Sequence, residues 1–464
     1  MGVRVAEGEF AAIDEQKFKS FHWLATLTTG LGVFCDGYDL SSLGLVLPQV
    51  LASFGHVKLT DLQTAMLTAS ALIGSVVGAL AFGVLGQWGR KRFYGVDVLI
   101  LGLAALAQAF APDLVWLVAL RFILGIGVGG DYVLSPTIMA EHANRADRGR
   151  ALGLGFGTMW PLGALAAALF KLLLDALGVS SELEWRIVLA AGAVPALGVL
   201  YLRRRMPETA RFLGRLAGEG DEAVKVIQRI TGAAATAPSR DARAFWAVFA
   251  QHRRAILSAA VLWMLYDLVI YGGILFGPNL IAQSMGIGPV KFSILLQIIF
   301  ILPASVLGSI FLIDRIGRKP LQAWGFLVGA VLVAIFALMQ HQLLAMPVLG
   351  FFVFGLFNIA ETGPGLVSGA GMLGVELAPT RIRTVAQSVT VAGGRIGAAI
   401  SSFAFPLLFK QMGPSGPYWI IAVIAALGAV ATWLLVPETG RVSLEVLTET
   451  PEKLGSRPVN IAGD

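Results

Sequence analysis

Long apolar runs alternate with short charged breaks along almost the whole chain. The runs fall at roughly 22–52, 61–86, 93–111, 114–140, 151–177, 185–202, 255–285, 292–313, 320–340, 345–375, 384–410 and 417–436. A helix needs ~20 such residues to cross a hydrocarbon core of ~30 Å, and most runs supply them. The longer runs predict helices that tilt or extend past the lipid. The pattern therefore predicts an all-α membrane protein with twelve transmembrane helices. The longest polar break, 206–253, is rich in Arg, Ala, Glu and Gly and parts six runs from six. The expected organisation is a first six-helix bundle over 1–205, an interdomain loop over 206–253, a second bundle over 254–440 and a tail over 441–464.

Composition agrees with this pattern. Of 464 residues, 56% are hydrophobic and 14% charged, against roughly 25% charged in a soluble chain. The net charge of +6 does not point to nucleic acid, because the basic residues cluster after every second run. These clusters are Arg90-Lys91-Arg92, Arg145/Arg148/Arg150, Arg203-Arg204-Arg205, Arg315/Arg318/Lys319 and Arg381/Arg383, whereas the alternate loops hold little beyond Lys58, Arg186 and Lys291. By the positive-inside rule both termini and the even-numbered turns are expected in the cytoplasm, with the helices in the cell membrane among its lipids. The N-terminal stretch has no short apolar core or cleavage site of a signal peptide. Ala6 also lacks the hydroxyl a myristoylation signal needs. The single cysteine, Cys35, excludes an intrachain disulfide and is read as a buried small hydrophobe.

Motifs recur at matching places in the two halves. Met206-Pro207-Glu208-Thr209-Ala210-Arg211 is echoed by Val436-Pro437-Glu438-Thr439-Gly440-Arg441, GVLGQWGRKR (83–92) by LIDRIGRKP (312–320), and AEHANRADRGR (140–150) by VELAPTRIRT (375–384). Three echoes in register indicate two related bundles. Acidic groups and arginines at helix ends suit a cytoplasmic gate between them, and its expected members are Arg90, Glu141, Arg148, Asp314, Arg318, Glu376 and Arg381.

Charges within the runs mark a pathway, since a charge in hydrocarbon is costly unless it faces a protein-lined cavity. Asp36 and Asp39 share a face of the first run, and the fourth carries Arg121 and Asp131. Trp263, Asp267 and Tyr271 are spaced by four, which turns only ~40° per step on a helix and makes one stripe. Asn358 and Glu361 lie in the tenth run and Arg395 in the eleventh. Asp131 is expected to face the cavity near Arg121. A carboxylate shielded from water holds its proton, and a nearby arginine releases it, which is the chemistry of proton coupling. Glycines at 125, 127, 129, 130, 153, 155 and 157 predict closely approaching helices. GIGVGG lies within a run rather than between strand and helix, so it is not a phosphate-cradling loop. Without HExxH, GxSxG or CxxC motifs, no enzyme, metal site or cofactor is expected.

The Asp314–Lys319 segment, the two PET motifs and the six-plus-six layout resemble the major facilitator superfamily of secondary transporters. The first-half loop departs from that pattern, with Gln87-Trp88 where the family carries an acidic residue, which is expected to weaken the gate there. GGDYVLSPTIMAE (129–141), Asp36-Gly37-Tyr38-Asp39, and Trp263, Asp267 and Tyr271 before Gly272 resemble the phosphate:proton symporter family, with Arg395 in the place of a family lysine. The resemblance implies a substrate site of Tyr132, Trp263, Asp267, Tyr271 and Arg395, and a proton route of Asp36, Asp39, Asp131 and Arg121. Thr158-Met159-Trp160 replaces a family glutamine, Gly365 follows Gly363-Pro364 where the family has asparagine, and Glu361 adds a carboxylate. DGYDLSSLGLVLP (36–48) also resembles the aromatic acid:proton symporters, and VPETGRVSLE (436–445) the sugar porters. The expected function is proton-coupled symport of a small solute, inorganic phosphate first, by a monomer. An organic or aromatic carboxylate, a sugar, a non-transporting solute receptor and hydrophobic-drug efflux stand as alternatives.

Overall fold

The computed structural model describes residues 8–55, 60–363, 366–413 and 415–449. Pro364 and Gly365 of the tenth run, Lys58, and residues 450–464 of the expected tail lie outside the described residues. The chain forms twelve principal helices. The first six are α1 (Ser20–Ser53), α2 (Asp61–Leu85), α3 (Val96–Gln108), α4 (Leu114–His142), α5 (Arg148–Ala176) and α6 (Ser181–Arg205). The second six are α7 (Phe245–Ser284), α8 (Pro289–Ile316), α9 (Arg318–Leu338), α10 (Pro347–Thr362), α11 (Arg383–Met412) and α12 (Ser415–Leu435). They pack as two six-helix bundles related by a pseudo-two-fold, which meet along α2 with α11 and α5 with α8.

Nine helices among the described residues are long and apolar enough to cross a membrane. The other three fall short for local reasons. In α1 the apolar residues are diluted by Asp36, Asp39 and a series of Thr and Ser. Helix α3 is 13 residues because the chain turns at Gly95. Helix α10 is 16 residues, after which the chain resumes in the short helices Leu366–Gly369 and Met372–Glu376.

Helix starts follow from sequence. Thr60 accepts from the Gln63 amide while Gln63 reaches back to the Thr60 amide, a capping box that starts α2. Asp113 accepts from the Trp116 amide to start α4. Gly89 and Gly317 both have left-handed backbone, φ +140° and +101°, immediately before Arg90 and Arg318, so the same turn is built twice and requires glycine both times. Close helix approach uses small residues: a methyl at Gly125 would strike the Ala71 carbonyl, and one at Gly129 the Ser75 carbonyl. Gly153 and Gly157 face Ser309 and Leu366 across the bundle boundary.

The stretch 206–253 is not wholly loop. It contains the helix Gly220–Thr231, and α7 starts at Phe245 within it. The N-terminal residues Phe10 and Ile13 pack on Ala223 and Ile227 of the 220–231 helix. Arg211 bridges Asp14 and Glu445, both at 2.8 Å, so the two described chain ends sit together at the basic end of the molecule.

Candidate functional site

A cavity of about 80 Å3 lies between the bundles, and its walls include Tyr132, Trp160, Trp263, Asp267, Tyr271 and Arg395. Helical geometry places each: the four-residue spacing on α7 turns Trp263, Asp267 and Tyr271 to one side. Trp160 follows a π-helical stretch, Gly153–Thr158, whose wider turn offsets the remainder of α5. The Arg395 guanidinium crosses the bundle boundary, with Nη2 3.3 Å from Asp36 Oδ2 and Nη1 donating to the Tyr271 hydroxyl at 3.0 Å. Its Cζ stands 4.1 Å from the centroid of the Tyr132 ring, a cation–π contact. Asp36 Oδ2 also accepts from the Tyr132 hydroxyl at 2.9 Å and from Trp160 Nε1 at 3.1 Å. Trp263 Nε1 donates to Asp267 Oδ1 at 3.2 Å. Asp36 Oδ1 and Asp267 Oδ2 are buried with no hydrogen-bond partner among the described residues. The site thus holds one arginine, two carboxylates with acceptor capacity to spare, and five aromatic side chains that carry N–H or O–H donors, Tyr266 being the fifth.

The five residues expected at the substrate site are all brought together here. Trp160 joins them although the sequence presented it only as a replacement for an amide. The signal was available: indole N–H is a donor, and Trp160 lies in a cavity-facing helix beside Pro161.

Other expectations change. Asp131 does not reach the cavity or Arg121. It ion-pairs with Arg203 Nη2 and accepts from the Ser135 hydroxyl at 2.6 Å, while Arg203 Nη1 holds Asp97 at 2.6 Å. Successive helical residues point ~100° apart, so Tyr132 takes the cavity face and Asp131 turns into the first bundle. Arg121 Nη1 is 3.5 Å from Gln108 Oε1, and no carboxylate ion-pairs with it among the described residues. Glu361 turns towards Gly329 of α9, with neither carboxylate oxygen bonded among the described residues, and is not paired with Arg395. Asn358 donates to the Phe354 carbonyl of its own helix at 2.8 Å and stays off the cavity wall.

At the basic end two buried clusters repeat the same arrangement. In the first bundle Arg90 lies 3.3 Å from Glu141, and Thr209 donates to Glu141 Oε2. In the second Arg318 lies 3.2 Å from Glu376, and Thr439 donates to Glu376 Oε2 at 2.5 Å. Each cluster is closed by an arginine from the opposite bundle: Arg383 Nη1 meets Glu141 Oε1 and Arg148 Nε meets Glu376 Oε1, both at 2.8 Å. Burial works against the Glu376 charge, but Arg318 and Arg148 offset it and hold the carboxyl below its usual range. Asp314 accepts from the Gly149 and Arg150 amides at the start of α5, at 3.1 and 2.6 Å, and pairs with Arg318 at 2.7 Å. Glu438 accepts the amides of Arg318 and Lys319, and Glu208 that of Lys91. Burial raises the Glu208 carboxyl.

Arg383, not Arg381, is the arginine of this lock. Arg381 is partly exposed, and among the described residues its side chain donates to the Arg243 carbonyl at 3.3 Å rather than to Glu141 or Glu376. Spacing could have found it, because Arg148 lies seven residues after Glu141 and Arg383 seven after Glu376. The departure at Gln87 has a partial substitute: Gln87 Nε2 donates to Thr384 Oγ1 of α11 at 2.5 Å.

Residues 24–450 match the family model described as sugar (and other) transporter. A probable inorganic phosphate transporter 1-6 of Arabidopsis thaliana is 31% identical over 97% of this chain and 98% of its own length. A repressible high-affinity phosphate permease of Neurospora crassa is 30% identical over 94% of this chain and 88% of its own. The solved structure of the proton:xylose symporter XylE bound to 6-bromo-6-deoxy-D-glucose superposes with a TM-score of 0.77 at 24% identity, over 92% of this chain and 98% of that one, a likeness of fold. Matched over residues 24–450 by the family model and over most of its length by these relatives, the chain belongs to the sugar (and other) transporter family, within the major facilitator superfamily of multi-pass membrane transporters.

Proposed function

We propose that the chain is a proton-coupled symporter of inorganic phosphate that works by alternating access. The observation that carries this reading is the charge balance of the central cavity. With Asp36 and Asp267 ionised, Arg395 is outnumbered two to one and an anion is repelled; with both protonated, the site is positive and its aromatic N–H and O–H donors converge on the same space. Proton loading and anion loading are then the same event. Protonation of Asp36 frees the Arg395 guanidinium from its 3.3 Å contact, so that it can turn to a phosphate oxygen. Protonated Asp267 becomes a donor to the bound anion. A cavity of about 80 Å3 suits a compact ion rather than the drug-sized ligands of pockets of roughly 300–1,000 Å3. The names of the relatives support the same cargo.

Tyr132, Trp263, Asp267, Tyr271 and Arg395 bind the anion. Asp36 carries the coupling proton, Asp39 with Arg121 forms its outer approach, and Asp131 with Arg203 its inner one. Arg90, Glu141, Arg148, Asp314, Arg318 and Glu376, with Arg383, form the cytoplasmic gate, which is closed here. The bundles run over 1–205 and 254–440, joined by 206–253 and followed by the tail from 441, in a monomer of the cell membrane with both termini cytoplasmic.

The test is labelled phosphate uptake into proteoliposomes under an inward proton gradient. Gradient-driven accumulation is expected, undiminished by unlabelled glucose or benzoate. Asp267→Asn, a fixed neutral donor, should still bind phosphate yet lose gradient-driven accumulation. Binding without accumulation in the unaltered protein would instead make it a receptor. Competition by glucose or benzoate would replace phosphate as the cargo.

A further inference from the structure

Away from the cavity, the second bundle carries a groove with two chemically different halves. The apolar half, about 390 Å3, runs between α9 and α12 and is walled by Ala323, Trp324, Leu327, Val430 and Trp433. At Leu434 it meets a hollow of about 630 Å3, whose lining includes Arg253, Arg254 and Lys319. Lys319 joins the halves, since it lines the hollow while its Nζ lies 5.3 Å from the centroid of the Trp433 ring. Lys319, Ala323 and Leu327 recur at intervals of four, one face of α9 that is ~12 Å long. Both tryptophans are 59% exposed, on the outer surface of the bundle. Among the described residues no carboxylate pairs with Arg253, Arg254 or Lys319.

Three cations at one end of an apolar slot, on the lipid-facing side of a membrane protein, complement an amphiphile with a negative head. We propose that this groove is a binding site for an anionic phospholipid of the surrounding bilayer. The headgroup phosphate lies among Arg253, Arg254 and Lys319, and an acyl chain lies along Trp324 and Trp433. Basic pockets between helices at a membrane surface recognise such headgroups, and tryptophan favours the depth where head and chain meet. A second protein copy would present these cations with no matching charge unless it brought its own acidic face. The site also touches the gate. Val436 and Pro437 line the hollow immediately before Glu438, whose carboxylate holds the amides of Arg318 and Lys319. Bound lipid therefore ties the start of α7, the start of α9 and the end of α12 together and favours the closed basic end.

The full-length protein in detergent would be titrated with dioleoyl phosphatidylglycerol or dioleoyl phosphatidylcholine, with retained lipid read by native mass spectrometry and Tm by thermal unfolding. Phosphatidylglycerol should be retained and raise Tm, and phosphatidylcholine should do neither. Arg253→Gln with Arg254→Gln should weaken retention, by roughly fivefold for each charge removed. Lys319→Gln should weaken it similarly, and Lys319→Arg should restore it, which separates lost charge from lost folding. Trp324→Ala should lower retention of phosphatidylglycerol without changing the preference for its headgroup. Equal retention of the two lipids, or unchanged phosphatidylglycerol binding in the arginine variant, would overturn the proposal. So would inorganic phosphate reproducing the Tm shift, because the groove would then be a simple anion site.

Discussion

At the scale of single residues, the cavity is organised around Asp36, whose one oxygen accepts from Tyr132, Trp160 and Arg395. Trp160→Phe removes one of these donors and keeps the ring. A hydrogen bond to a charged group contributes about 1.5–3 kcal/mol, and ~1.4 kcal/mol is one pH unit. The charged carboxylate loses that support, so the proton is released less readily. The alkaline limb of phosphate uptake is expected to move up by roughly one to two units in proteoliposomes assayed across pH. An unmoved limb would show that Asp36 does not set the profile. The α7 stripe was legible in the sequence because period and chemistry agreed: one helical face carried Trp263, Asp267 and Tyr271. The partners of Asp131 were not legible, since Arg203 lies 72 residues away at the far end of α6 and only packing brings them together. Glu361 was legible as a charge but not in its direction, which the fit against Gly329 decides.

At the scale of elements, short segments at the basic end act as ties between the helices. The helix Leu444–Glu449 is held by Glu445 on Arg211, at 2.8 and 3.1 Å. Burial works against the Glu445 charge, but Arg211 more than offsets it and holds the carboxyl at about 2, below its ordinary 4.5. A depressed carboxyl contributes stability that is fully present above the unfolded value and is lost as pH falls through the folded one. Protection of residues 444–449 against hydrogen exchange, taken relative to the intrinsic rate at each pH, should thus be flat from pH 5 to 8 and fall only below about 4.5. Glu445→Gln should loosen the segment at neutral pH, at a cost of about 1–3 kcal/mol; equal protection in that variant would show that the apolar contacts of Leu444 and Leu447 hold it instead. Helix number was legible because twelve apolar runs need no tertiary information. The ends were less so, as the seventh run gave no sign that α7 begins ten residues earlier than its apolar part. The polar stretch Gln251–Arg254 separates the apolar residues 245–250 from the seventh run, and packing of Val248 with Ala378 and Ile382 holds those residues against the second bundle.

For the whole molecule, the decisive question is how firmly the basic end is shut, and the two halves of the lock are unequal. The arginines exchange symmetrically: Arg148 serves Glu376 and Arg383 serves Glu141. The helix starts do not. Asp314 places a carboxylate on the first amides of α5, where a negative charge is stabilised by the helix dipole. The matching place before Gly89-Arg90 is Gly86, and α11 receives only the neutral Gln87 amide on Thr384. A partly buried carboxylate at a helix start with charge-assisted bonds contributes about 2–3 kcal/mol, a neutral side-chain bond about 0.5–1.5. Asp314→Asn should consequently shift the closed-to-open ratio by roughly 30–150-fold, and Gln87→Leu by roughly 2–13-fold. Spin labels placed on exposed residues of the two bundles at the basic end, with distances read by pulsed electron resonance, measure both. Equal shifts would mean that the dipole contact is screened and that the buried arginines alone hold the gate. The expected inequality would make the α5–Asp314 contact the one that alternating access must break last, and the α11 side, already short of its carboxylate, the one that opens first.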